Sequence, residues 1–125
     1  MPEIINTSLA PEPIGPYSQA VLAGDILFIS GQIAIDPANG EMKLSNIKEE
    51  TEQVMLNLQA VLRAADLDFP DVVKCSIFIK NMDDFPLVNE TYGKYFPSNA
   101  PARETVEVSG LPKNVNVEIS CVAIK

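Results

Sequence analysis

Histidine is absent from this chain of 125 residues, and that one absence removes several mechanisms at once. There can be no His-based nucleophile triad and no His metal ligand. No side chain titrates near neutrality without being perturbed. Cysteine is almost absent too: Cys75 and Cys121 stand far apart and make no zinc-binding cluster. Both fall inside apolar strand-like runs, so they read as buried free thiols, and nothing in the pattern demands a disulfide. Positive charge is scarce. Nine Lys and Arg stand against 17 Asp and Glu, for a net charge of −8. A surface of that sign repels a phosphate polyanion, and no Lys/Arg cluster interrupts it, so nucleic acid is an unpromising partner. No apolar run approaches the ~18 residues that suggest a membrane helix. With no signal-peptide pattern either, the protein is expected to be cytoplasmic. Phosphate loops and dinucleotide fingerprints are missing as well.

What is present is an ordinary globular balance, 46% hydrophobic and 21% charged, of a length that fits one domain over residues 1–125. The Pro-rich first 15 residues read as an ordered approach segment. Ser18–Leu22 and Ile26–Ile29 form a hairpin around the turn Ala23-Gly24-Asp25. Ser30-Gly31-Gln32 then interrupts the apolar run, which suggests a bulge or a close backbone approach, before Ile33–Ile35 continues it. Asn46, with Glu49 three residues on, caps the clearest helix. Ile47, Thr51, Val54, Leu58, Val61, Leu62 and Ala65 form its buried stripe, with Glu49, Glu50 and Glu52 mostly off it, and Pro70 marks a stop. Asp71–Lys80 is a strand with Val73, Cys75, Ile77 and Ile79 on one face. Asp83 or Asp84 caps a second helix carrying Phe85, Val88, Tyr92 and Tyr95, which Pro97 ends. Arg103–Val108 and Val115–Ile124 are the last strands. The pattern predicts an α+β fold: a two-layer sandwich of a six-stranded mixed sheet with two helices on one face. Two helices cannot cover both faces, so the other must meet water or another subunit.

Arginine occurs only twice. Arg63, late in the first helix, reads as solvent-exposed. Arg103 opens a strand whose alternation puts Arg103, Thr105 and Glu107 on one face and Val106 and Val108 on the other. In the last strand Asn116, Glu118 and Ser120 oppose the apolar Val117, Ile119, Cys121 and Ala123. These polar faces fit a solvated sheet or a structural Arg103–Glu118 ion pair. They equally fit an anion-binding cleft in which Arg103 grips a carboxylate and Glu118 takes a proton from water. Tyr17, Ser30, Gly31 and Asn89 are weaker candidates on composition alone.

The run Pro101-Ala102-Arg103-Glu104-Thr105-Val106-Glu107-Val108-Ser109-Gly110-Leu111-Pro112, followed by Val117-Glu118-Ile119, resembles the signature of the RidA/YjgF family. Ile14-Gly15-Pro16-Tyr17-Ser18-Gln19, Ser30-Gly31-Gln32-Ile33 and Val88-Asn89-Glu90-Thr91-Tyr92 resemble its other landmarks, in the expected order over nearly the whole chain. The resemblance implies a chorismate-mutase-like homotrimer with sites between subunits. It also implies hydrolysis of reactive 2-enamino and 2-imino acids to 2-oxo acids and ammonia, without metal or cofactor. Carried over, Arg103 would bind the substrate carboxylate with help from the Gly31 N–H. Glu118 would activate water and the Thr105 backbone would orient it. Tyr17 would line the cleft from the adjacent subunit, with Ser30 and Asn89 nearby. Two residues depart from the family pattern: Thr105 replaces a cysteine, and Glu104 replaces a small residue. The competing expectations are a non-catalytic trimer that binds small carboxylates and, disfavoured by charge, an endoribonuclease or translation inhibitor.

Overall fold

The computed structural model describes residues 2–125. Six strands form one sheet: β1 (Glu3–Ile5), β2 (Ala20–Ala23), β3 (Ile26–Gln32), β4 (Val72–Ile79), β5 (Ala102–Glu107) and β6 (Val117–Ile124). Their spatial order is β1-β2-β3-β6-β4-β5. Every neighbouring pair is antiparallel except β4–β5, which is parallel. The helices α1 (Ile47–Ala64) and α2 (Phe85–Gly93) pack against each other, and α1 packs on β3 and β6.

The core lies between helices and sheet because the apolar halves of both meet there. Leu27, Ile29, Ile77, Ile79, Val117, Ile119 and Ala123 from the sheet are buried against Val54, Met55, Leu58, Val61 and Leu62 of α1. Removing each of the Val, Leu, Ile and Met side chains from water contributes roughly 1.5–3 kcal/mol. α1 starts where its cap predicts: the Asn46 side chain accepts the Glu49 N–H at 2.9 Å. It stops earlier than Pro70 alone would impose, because Asp66 turns into the left-handed region at φ 61°.

Several expectations need correction. Ile33–Ile35 forms no strand beyond an isolated bridge between Ile35 and Met42. The sixth strand is instead β1, inside the approach segment, where pairing with β2 buries Ile5. In β4 the register shifts between Val72 and Lys74, which turns Val72 inward and leaves Val73 exposed. Neither Asp83 nor Asp84 caps the second helix by its side chain; Asn81 does so, one short 3-10 turn earlier, by accepting the Asp83 N–H.

Glu50 is not on the solvated side of α1 but fully buried. The opposite face of the sheet carries no helix. There Ile4, Phe28 and Val106 are 67%, 49% and 41% exposed; Ile4 and Phe28 lie in one row across β1–β3, and Val106 stands apart on β5.

Candidate functional site

The candidate residues form two clusters, and the bulge in β3 builds the first. β3 pairs with β6 as far as Ile29↔Cys121, and the ladder resumes only at Gln32↔Ile119. Ser30 and Gly31 fill the irregular stretch. The Ser30 hydroxyl donates to Ser18 O at 2.6 Å and its N–H to Gln19 O at 2.9 Å, so the bulge is held from the β2 side. Gly31 has a steric reason for its identity: a Cβ there would lie 2.3 Å from Glu118 Oε2. Glu118 and Gly31 therefore touch, with Tyr17 and Ile14 close by. Together with Ser30, Ile33 and Pro112 they line an open cleft of about 320 Å³. Glu118 is half-buried there, and burial raises its carboxyl above the ordinary carboxylate value.

Three buried polar residues hold this cleft in shape. The Gln19 side chain accepts the Thr7 N–H at 2.7 Å and donates to Thr7 O at 3.0 Å and Pro11 O at 2.9 Å, which ties down the segment leading to Tyr17. Asn57 of α1 donates to Ile33 O and Ile35 O, both at 2.9 Å, and supports the chain where it leaves the sheet. Glu50 Oε2 accepts the N–H groups of Asn116 and Val117 at 2.7 and 3.1 Å, and Oε1 accepts from Asn116 Nδ2 at 2.8 Å. Those N–H groups lie just beyond the last β3–β6 pair, so the Glu50 carboxylate takes the place a continuing strand would fill. Sequence reading missed all three. A trace was present in α1, where Glu50, Val54, Asn57 and Val61 recur at helical spacing beside the apolar stripe.

The second cluster surrounds Arg103. Its guanidinium carbon lies 5.1 Å from the centroid of Tyr92 and 5.4 Å from that of Phe85, and Nη1 donates to Asn89 Oδ1 at 2.7 Å. The aromatic faces orient the planar fork while its remaining N–H groups stay available. Among the described residues, no carboxylate lies within ion-pair distance of it. Glu107, two pairs further along the same face, accepts the Met82 N–H at 2.7 Å and pins the turn that leads into α2. Between them the Thr105 hydroxyl is buried without a partner. Glu104 points to the other face, where Lys74 at 2.8 Å and Ser76 hold it; these partners keep its carboxyl below the usual range.

The structure does not bring the two clusters together within one chain. Arg103 is in register with Cys75 and Thr105 with Ile77, on the helix-covered face. Glu118 is in register with Phe78, on the uncovered face. An intrachain Arg103–Glu118 ion pair is therefore ruled out, because adjacent positions along a strand point to opposite sides of the sheet. Tyr17, Ser30, Gly31 and Glu118 gather at one place; Arg103, Asn89 and Thr105 gather at another. Among the described residues, no group of three or more Cys, Asp or Glu is arranged to hold a metal.

A family model described as Endoribonuclease L-PSP matches residues 7–125. The chain belongs to the RidA/YjgF family. It is 51% identical over 125 residues to the RutC family protein PH0854 of Pyrococcus horikoshii, covering 100% of this chain and 99% of that one. It is 45% identical over 122 residues to the 2-iminobutanoate/2-iminopropanoate deaminase of Homo sapiens, covering 98% and 89%. The crystal structure of Escherichia coli TdcF with bound serine superposes with a TM-score of 0.94 at 36% identity, covering 98% of each chain. Family membership accounts for the shared α+β architecture. No helix of the described residues is long and apolar enough to cross a membrane.

Proposed function

We propose that the protein is a hydrolytic deaminase of small 2-imino and 2-enamino acids, active as a homotrimer whose sites lie between subunits. One observation carries the reading: a preoriented guanidinium without a carboxylate partner and a glutamate-lined cleft occupy opposite faces of one sheet, each incomplete alone. A second copy seated on the uncovered face would bring its own Arg103 cluster to this chain's Glu118 cleft, and closing the ring would complete the remaining halves. The exposed apolar side chains there supply a reason for it to bind. The serine bound to TdcF supports a small amino- or oxo-acid ligand.

In this mechanism Arg103 grips the substrate carboxylate by charge-assisted hydrogen bonds, aided by the Gly31 N–H. Asn89, Tyr92 and Phe85 keep the fork still. Glu118 holds a water against C2 of the iminium and takes its proton as the C–O bond forms. The resulting carbinolamine receives that proton on nitrogen. The C–N bond then breaks, and the hydroxyl proton leaves with ammonia as ammonium, giving the 2-oxo acid. The Thr105 backbone helps orient the water, and Tyr17 and Ser30 shape the wall. A raised Glu118 pKa suits a base, because it lies nearer the working pH. Imine hydrolysis has a low intrinsic barrier, so positioning supplies most of what is needed.

The test is hydrolysis of 2-iminobutanoate generated in the assay by a dehydratase, measured with wild type, Arg103→Ala and Glu118→Gln. Wild type turns over. Arg103→Ala loses on the order of 100-fold in kcat/KM, and Glu118→Gln loses kcat while 2-oxobutanoate still binds. Binding of 2-oxobutanoate without any wild-type turnover would replace the deaminase with a carboxylate-binding trimer.

A further inference from the structure

The two cysteines of this chain lie far apart in sequence, yet the sheet makes them direct neighbours: Cys75 of β4 is the register partner of Cys121 of β6. The kind of pairing follows from the ladder. Lys80 N–H donates to Asn116 O at 3.0 Å, which marks 80/116 as a hydrogen-bonded pair. Counting back along the uninterrupted register, 78/118 and 76/120 are of the same type and 75/121 is not. Side chains approach most closely across such non-hydrogen-bonded pairs, whose Cα atoms are about 4.5 Å apart, inside the range of roughly 4.4–6.8 Å that a disulfide spans. Both thiols are reduced and lie on the same buried face.

From this geometry we infer that Cys75 and Cys121 form a site of reversible oxidation, closing a cross-strand disulfide beneath the Arg103 cluster. The inference is independent of the deaminase reading. Cys75 is the reactive member. Its neighbour Cys121 and the nearby Arg103 charge lower its pKa against the opposing effect of burial, while the Cys121 thiol is raised. Arg103 flanks Cys75 on the side of β5, the sheet's edge strand, so a small peroxide needs only a local opening of that edge to reach the sulfur. The Cys75 thiolate attacks the peroxide O–O bond, forming a sulfenic acid and releasing water after proton uptake. The Cys121 sulfur then attacks the Cys75 sulfur and a second water leaves. Two thiols are oxidised by two electrons and one peroxide is reduced.

The test treats the full-length protein with hydrogen peroxide under native conditions. The expected product has lost two hydrogens by intact mass and contains one cross-linked peptide joining residues 75 and 121. Neither thiol is alkylated after denaturation, and dithiothreitol reverses the change. Because the bond closes the segment holding α2 and β5, Tm should rise by about 5–15 °C. Cys121→Ala, treated alike, should gain oxygen on Cys75 instead of a cross-link. Two results overturn the proposal: both thiols remaining alkylatable after peroxide, or wild type accumulating sulfinic acid or intermolecular dimers with no internal cross-link.

Discussion

Two inactive variants should restore each other's activity when they share an assembly. Arg103 projects from the helix-covered face of the sheet and Glu118 from the uncovered one, so a site that needs both must draw them from different copies. Let Arg103→Ala and Glu118→Gln be co-refolded in equal amounts. A site works only when its guanidinium comes from a Glu118→Gln chain and its carboxylate from an Arg103→Ala chain. With random assembly each condition holds half the time, so about one quarter of all sites should be active, whatever the size of the closed ring. The complementary mixture sharpens the count. In an equal mixture of wild type with the Arg103→Ala/Glu118→Gln double variant, about one quarter of all sites should be active if they are composite, and about half if each chain carries its own. The assay is the initial rate of 2-iminobutanoate hydrolysis per chain, with size-exclusion chromatography to verify mixed assembly and each variant alone as background. Mixed assemblies that form normally yet stay at background would refute the composite site.

Three further outcomes follow from contacts already described. Burial raises the Glu118 carboxyl above its ordinary 4.5, and in the proposed mechanism the ionised form is the base. The acid limb of kcat/KM should therefore fall at a pH above 4.5 and vanish from the residual rate of Glu118→Gln. The same raised pKa makes stability greatest below the unfolded value and reduces it as pH climbs through the folded one, so Glu118→Gln should raise Tm slightly at pH 7. Glu50→Leu strands the Asn116 and Val117 N–H groups and should cost ~2–4 kcal/mol in urea unfolding. In Glu50→Gln, the amide oxygen can accept both N–H groups and Asn116 can flip to accept the new amide, so that variant should stay near wild type. Gly31→Ala puts a methyl where Glu118 Oε2 now sits; the glutamate can swing away, so turnover should collapse while stability drops by only about 1 kcal/mol.

Much of the fold was legible because its signals are local. The stripe and cap of α1, the alternation of β6 and the isolation of Arg103 among so few cations can all be read within a short window. The features that escaped depend on distant partners. Alternation shows that Arg103 and Val106 face opposite ways, but only the parallel register with β4 decides which way faces the helices. β1 is three residues long, too short to carry a period, and exists because β2 offers an edge. Val72 and Val73 look interchangeable until the register shift selects one. Glu50 counts as surface on any hydrophobicity scale, since its justification is backbone from a strand 66 residues away. The division of the candidate residues between two faces was invisible for the same reason.

Arg103 sits on β5, a strand with β4 on one flank and, among the described residues, no strand on the other. A bare flank of this kind is a template on which a foreign strand can grow. If the proposed homotrimer covers this flank, substitutions that only loosen contact between copies should do more than silence turnover. They should leave sticky monomers that precipitate on storage or mild heating, long before the core melts. Solubility and catalysis would then be lost together through changes at the same seam.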